Sequence, residues 1–272
     1  MTLYETSELV GLIPAAGVGS RLHPYRSAKE LLSVGYRSVL RGSSEGKVPK
    51  VVSEYTISAM AEAGAENILF VISYQKLEIF KYFGSGAYHG MNFSYLCQEM
   101  ANGMPGALNE AYPWIRNKIV LMGMPDTILE PQSCFKETLR LFKENDADLS
   151  LGVFPTITPQ LLAPVWFDPS NNRVLYIQDK PKETKLFNSW GIAVWNWKFS
   201  NFLHDYVTCN RSSPSEMLLT DIFNLAVKNN MKVFARFFPG GRFFDVGTSE
   251  GLMVARSELE YPIVNPLLMN ER

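Results

Sequence analysis

The sequence predicts an α/β fold: a mostly parallel mixed sheet covered by helices on both faces, with a smaller antiparallel lobe built onto it. Three observations carry this. Short apolar runs recur at 9–13, 67–73, 119–122 and 149–154, as strands buried on both faces do. Segments of helical spacing separate them, which is the pattern of strand–helix–strand crossovers. From about residue 156 the apolar runs pair up as short antiparallel strands.

Taken in order, the first strand, Leu9-Val10-Gly11-Leu12-Ile13, stops at Pro14 and enters a glycine loop. A helix over 49–63 places Val52, Tyr55, Ala59 and Ala63 on one face, with Gly64 as its stop. The strand 67–73 follows, then a short helix with Leu77, Phe80 and Phe83 inward, ended by Gly84-Ser85-Gly86. Residues 93–97 alternate like a strand, and 119–122 form another that ends at Pro125-Asp126. Pro131 opens a helix that turns Phe135, Leu139 and Phe142 inward. In the second half, 165–167, 174–177 and 192–197 are antiparallel strands. Ser213-Pro214-Ser215-Glu216 has capping-box spacing before a helix with Leu218, Ile222, Leu225 and Ala226. A strand over 232–238 and a helix over 248–258 complete the chain. With no internal repeats, residues 1–272 read as one domain, a first half to about 155 and a second from about 156.

Composition narrows the function. Hydrophobic residues make up 46% of the 272 and charged residues 19%, so the chain can bury a core. Its 26 Lys+Arg against 27 Asp+Glu leave a net charge of −1, without the basic excess that phosphate-neutralising nucleic-acid binders carry. Neither a membrane span nor a secretory leader is visible. The 3 cysteines, Cys97, Cys134 and Cys209, make neither a disulfide framework nor a metal pair. The expectation is a cytoplasmic protein with no nucleic-acid or membrane partner.

Pro14-Ala15-Ala16-Gly17-Val18-Gly19-Ser20-Arg21 follows a strand directly. Small residues there let backbone N–H groups approach a polyphosphate. It is neither a GxGxxG fingerprint, since Leu22 stands where the third glycine belongs, nor a Walker A loop. Arg21 and Lys29 add the cations that a triphosphate needs and a plain turn does not.

The run from Ile13 to Pro24, followed by Lys29-Glu30-Leu31-Leu32, resembles the signature of the sugar-1-phosphate nucleotidylyltransferases, the pyrophosphorylases that make UDP- or dTDP-sugars. Further blocks follow in the family's order. Gln98 with Gly103 and Ala107 is similar to its base-reading segment, and Pro125-Asp126 to its metal-binding strand end. Asp179-Lys180-Pro181 resembles its Glu-Lys-Pro, and Trp190-Gly191-Ile192 its Thr-Gly-Ile/Leu. Leu219-Thr220-Asp221-Ile222 and Asp245-Val246-Gly247-Thr248 match two more. The resemblance implies a Rossmann-like nucleotide-diphospho-sugar transferase fold, with a nucleotide-binding first half and an acceptor-binding second half.

It also implies the chemistry: a sugar-1-phosphate oxygen attacks the α-phosphorus of a nucleoside triphosphate in line and expels pyrophosphate. Such transfers depend on positioning and charge neutralisation. Asp126 and Asp245 would hold Mg²⁺ through oxygen ligands. Arg21 would stabilise the leaving pyrophosphate and Lys29 would sit at the triphosphate. Ala15, Ala16, Gly17 and Gly19 would cradle the nucleotide, and Gln98 and Gly103 would read a uracil or thymine edge. Asp179, Lys180 and Gly191 would bind the phosphorylated acceptor. UTP and dTTP both remain open as donors, and the family is commonly homo-oligomeric.

The chain departs from the family at several points. Arg21 and Lys29 are closer together than usual, and Ala28 replaces proline. Residues 36–47 are an insertion, read as a surface loop or as a basic lid carrying Arg37, Arg41 and Lys47. Ala163, Asp179, Trp190, Ala193 and Leu218 rewrite the acceptor pocket toward apolar groups, so glucose-1-phosphate is not expected to be its best acceptor. These changes also motivate an alternative, a regulatory homologue that binds nucleotide without turnover. The retained Arg21, Asp126, Lys180 and Asp245 argue against it.

Overall fold

The computed structural model describes residues 9–17, 19, 28–41, 44–100, 102–211 and 216–260. β1 (Leu9–Pro14) leads to a hairpin of β2 (Ser33–Arg41) and β3 (Ser44–Val51), then α1 (Ser53–Glu62). β4 (Asn67–Ile72), α2 (Leu77–Phe83) and β5 (Asn92–Cys97) follow, then α3 (Gly103–Glu110), α4 (Tyr112–Ile115), β6 (Ile119–Gly123) and β7 (Thr127–Glu130). α5 (Cys134–Glu144) and β8 (Leu149–Pro155) precede β9 (Val165–Phe167), β10 (Val174–Ile177), β11 (Asn188–Trp195) and α6 (Trp197–Cys209). The chain continues through α7 (Leu219–Lys228), β12 (Val233–Phe237), β13 (Arg242–Asp245) and α8 (Ser249–Glu260).

The central sheet has seven strands in the order β12-β8-β11-β6-β1-β4-β5. All its pairings are parallel except those of β11, which runs antiparallel to both β6 and β8. Both faces are covered, which is why its strands read as unbroken apolar runs. Val10, Leu12, Val120 and Met122 point to a core shared with Leu108, Phe199, Leu203 and Phe223 of α3, α6 and α7. Ile13, Ile68, Phe70 and Leu121 point the other way, to Ile57 and Met60 of α1, Ile79 of α2 and Phe135 of α5. A third cluster of Leu32, Val34, Ile128, Phe244 and Ala255 sits beneath α8. The predicted α/β class and mostly parallel sheet are what the chain forms, and strands of both halves share that sheet.

Several expectations are corrected. Residues 49–51 belong to β3, so the helix starts at Ser53 rather than at Pro49: pairing with β2 takes the segment first. The insertion at 36–47 is accordingly a β-hairpin and not an irregular loop, apart from Gly42 and Ser43, which lie outside the described residues. In α2 the buried positions are Ile79 and Phe83, while Leu77 and Phe80 face solvent. α5 begins at Cys134, past Pro131. Residues 192–194 join the central sheet rather than the antiparallel lobe, because β11 is buried along almost its whole length. Trp197 opens α6, whose first turn Asn196 caps by accepting from the Lys198 N–H at 2.9 Å. Ser213, Pro214 and Ser215 lie outside the described residues, and the helix expected after them begins at Leu219.

Candidate active site

β1 lies between β4 and β6, so the direction of the crossovers reverses there, and open α/β sheets form their ligand crevices at such points. The loop leaving β1 starts with the Ala15 N–H bonded to the Val71 carbonyl at 2.7 Å. Ala15 and Ala16 are buried, whereas Gly17 is exposed with open space where a side chain would stand. Gly19 has φ +72°, and a Cβ on it would lie 3.6 Å from the Cδ of Lys29. Arg21 lies outside the described residues.

Lys29 occupies a single 3₁₀ turn, Lys29–Leu31, fixed by its neighbours. Glu30 is buried and paired with Lys76 at 2.6 Å. Burial pushes the Glu30 carboxyl up against the opposing pull of Lys76. The Ala28 N–H bonds to the Glu78 carboxylate. At the start of α1, the Ser53 hydroxyl lies 2.8 Å from the Glu30 carbonyl and 3.0 Å from that of Pro125. Ser53 thus draws the Lys29 turn and the loop after β6 together, and the Lys29 ammonium donates to the Asp126 carboxylate.

Asp245 arrives beside Asp126 through the β13–β7 ladder. Asp245 is opposite Thr127, and the Val246 N–H donates to the Asp126 carbonyl at 3.0 Å. The Asp245 Oδ1 accepts from the Gly247 N–H at 2.9 Å. Both aspartates line one cavity of about 370 Å³. Among the described residues no three His, Cys, Asp or Glu side chains converge as metal ligands. Two hard oxygen donors on a cavity wall suit a hard divalent cation.

Gln98 follows β5, buried, with its backbone N–H on the Ile72 carbonyl at 2.8 Å and its Nε2 donating to Asn102 Oδ1 at 2.7 Å. Gly103 has φ +86°, and a Cβ on it would stand 2.8 Å from the Met217 carbonyl oxygen. That left-handed conformation and close approach require glycine.

The same cavity continues to Asp179, Lys180 and Trp190. Lys180 has φ +40° and is held by its N–H on the Leu162 carbonyl at 2.9 Å. Trp190 packs edge-on against Phe223, 5.3 Å between ring centres. The Ser189 hydroxyl turns to backbone, 3.1 Å from the Trp190 carbonyl and 3.4 Å from that of Ala163. Gly191 lies against Leu129 and Phe243 instead of lining the cavity. Met104, Met124 and Met217, which sequence reasoning missed, make much of its apolar wall. Nothing in their spacing marks them, since they come from three separate segments.

A mostly parallel α/β sheet with a glycine loop and paired carboxylates at its reversal point defines a nucleotide-binding enzyme fold. The chain matches the nucleotidyl transferase family model over residues 10–261, and it belongs to that family of enzymes. The resemblance read from the ordered motifs is thereby borne out. A glucose-1-phosphate thymidylyltransferase of Mycolicibacterium smegmatis is 25% identical over 252 residues, 90% of this chain and 80% of that one. Among solved structures, a Bacillus anthracis protein described as a glucose-1-phosphate thymidylyltransferase, in complex with sucrose, superposes with a TM-score of 0.78. It is 22% identical, with 93% of this chain and 96% of that chain covered. UDP-glucose pyrophosphorylase from Acinetobacter baumannii has a TM-score of 0.74 at 19% identity, covering 94% and 95%. These two likenesses establish the fold.

Proposed function

We propose that this nucleotidyltransferase moves the nucleoside monophosphate of UTP or dTTP onto a sugar-1-phosphate or related phosphorylated acceptor, releasing pyrophosphate. The observation that carries the reading is that Lys29, beside Gly19 of the β1 loop, pairs with Asp126, and that Asp126 and Asp245 line one cavity with Lys180.

In this reading the backbone of Ala15, Ala16, Gly17 and Gly19 receives the phosphates, and Gln98 and Gly103 meet the pyrimidine. Lys180 and Asp179 orient the acceptor so that its phosphate oxygen attacks the α-phosphorus in line. The bond to the β-phosphate oxygen breaks, and Lys29 together with Arg21 receives the charge of the departing pyrophosphate. Asp126 and Asp245 are the residues that would hold Mg²⁺. When bound, the ion neutralises phosphate charge and polarises phosphorus–oxygen bonds. The left-handed backbone of Lys180 supports its assignment, since such conformations concentrate where a side chain must be aimed. Trp190, Met104, Met124 and Met217 add apolar surface to a cavity whose polar lining includes Asp179, Lys180, Glu216 and Thr220, which favours an acceptor with fewer hydroxyls than glucose.

Pyrophosphate release in Mg²⁺, crossing the common nucleoside triphosphates with phosphorylated acceptors, tests this. Release requiring one pyrimidine triphosphate and one acceptor, and lost in Asp126→Asn, is the expected result. Tight binding of Mg²⁺-triphosphate without turnover across the panel would overturn it.

A further inference from the structure

The geometry assigns Asn102, and the bare backbone of Gly106 beneath it, as the device that fixes which way the Gln98 amide faces, so that the base site takes a uracil-type edge and rejects cytosine. This inference rests on reading Gln98 as the residue that meets the base.

A glutamine amide presents one acceptor and two donors, and a half-turn about its last torsion exchanges them. Left to rotate, Gln98 would match either pyrimidine. Uracil and thymine offer an N3–H donor beside a carbonyl, whereas cytosine offers a bare N3 acceptor. Gln98 is not left to rotate. Its Nε2 donates to Asn102 Oδ1 at 2.7 Å, which holds the NH₂ on the Asn102 side and leaves Oε1 on the other. The backbone bond of Gln98 to Ile72 fixes the base of the same side chain.

Asn102 makes no capping hydrogen bond to the helix that follows it, and the field of that helix orients its amide. It is the residue before α3, and its amide lies over the first turn of that helix, where a Cβ on Gly106 would overlap it. The partial positive charge of a helix N-terminus favours oxygen over NH₂ at that place. Gly106 therefore makes room for Asn102, Asn102 presents an acceptor, and that acceptor sets Gln98. A nucleotide tethered by its phosphates at the β1 loop reaches Gln98 in one pose. In it Oε1 accepts from N3–H of uracil or thymine, while the lone pair of cytosine N3 would face Oε1 and repel it.

Asn102 and Gly106 are positioning residues, and base selectivity is a readout that a merely structural role would not move. The test measures dissociation constants of Mg²⁺-UTP, Mg²⁺-dTTP and Mg²⁺-CTP by calorimetry for the full chain and for Asn102→Asp, Asn102→Ala, Gly106→Ala and Gln98→Ala. Far-ultraviolet circular dichroism serves as a check on folding. The expected result is a preference of about 100-fold for UTP or dTTP over CTP, the upper end of what one unsatisfied buried polar group costs. Asn102→Asp retains it, because a carboxylate accepts the same N–H. Asn102→Ala reduces it at least tenfold by weakening CTP rejection, and Gly106→Ala does the same where it folds. An unchanged ratio in Asn102→Ala, a collapse in Asn102→Asp equal to that in alanine, or no preference in the parent protein would overturn the inference. If Gln98→Ala leaves the ratio untouched, the assignment of Gln98 to the base fails. A loss in Gln98→Ala with none in Asn102→Ala removes the positioning role alone.

Discussion

The ammonium of Lys29 rests on the carboxylate of Asp126, 97 residues further along the chain. Neither residue reaches the other by its own flexibility: Ser53 gathers the two loops, and the Glu30–Lys76 pair holds the turn that carries Lys29. In the proposed reading the cation stands where a metal and a triphosphate meet. Asp126→Asn keeps the shape and an acceptor for Lys29 while removing the charge. Loss of several kcal/mol of transition-state stabilisation corresponds to a fall in turnover of about 100-fold or more. Pyrophosphate release should show this, with the thermal midpoint little changed. A variant that retained a tenth of the parent rate would remove Asp126 from the metal site.

Gly103 offers a test independent of turnover. Its φ of +86° and the Met217 carbonyl both resist a side chain. Gly103→Ala is expected to lose about 1–3 kcal/mol in urea denaturation, the cost of a left-handed alanine with a neighbour to displace. Proteolysis should also cut near 216–218 faster in that variant, since the segment packs on this glycine.

The parts of this architecture that were legible in the sequence are those with one cause. β1, β4, β6 and β8 are buried on both faces, and an unbroken apolar run has few other uses. The site aspartates and Gln98 were legible only because ordered motifs named them. Elements whose reason lies in a distant partner were not legible. β7 and β13 are short strands that exist because they pair with each other, and the hairpin over 33–51 contains Gly35, Gly46 and Pro49. α3 starts with glycine and holds Pro105 and Gly106, poor helix formers kept by packing against β1, β4 and α6. The tie through Ser53 could not be read at all, because a serine at a helix start normally signals a cap and here bonds to two loops.

The buried Glu30–Lys76 pair should respond unequally to single and double replacement. Both side chains are almost fully enclosed, and Glu30 Oε2 finds no hydrogen-bond partner among the described residues. Lys76→Met leaves an uncompensated carboxylate, and destabilisation of about 3–5 kcal/mol is expected. The double variant Glu30→Leu, Lys76→Met should recover most of that loss, because neither charge is then stranded. A loss in the double variant equal to the sum of the losses in Glu30→Leu and Lys76→Met alone, measured by denaturant midpoints, would show that the pair is not coupled.

His89 predicts the acid side of the stability curve. It stacks on Phe93, 5.6 Å between ring centres, and burial holds its imidazole below the ordinary histidine range, with Glu54 opposing and Arg37 assisting. The folded state therefore prefers the neutral ring. Its contribution is complete above the unfolded pKa of about 6.5 and is lost as pH falls from there through the folded value, the window in which the unfolded chain binds the proton more readily. His89→Phe keeps the ring contact and removes the titration. Denaturant midpoints at pH 8 and pH 5.5 should differ less in that variant than in the parent, and an unaltered difference would assign the acid sensitivity elsewhere.

Trp190 carries the last prediction, on the acceptor. It lines the cavity with Met104, Met124 and Met217 as apolar surface, Ser189 beside it is spent on backbone carbonyls, and the polar lining lies at Asp179, Lys180, Glu216 and Thr220. A hydroxyl desolvated against such a wall loses its water without replacement, at a cost of about 1–3 kcal/mol. An acceptor lacking that hydroxyl loses nothing. Comparing kcat/KM for glucose-1-phosphate and a deoxyhexose-1-phosphate should favour the deoxy compound in the parent enzyme by about 10-fold or more. Trp190→Thr shortens the side chain and adds a hydroxyl, and should move the ratio toward glucose-1-phosphate. The nucleotide KM should stay fixed, because Gln98 and the β1 loop are untouched. A parent enzyme that favours glucose-1-phosphate over every less hydroxylated acceptor would show that the apolar wall does not set the choice.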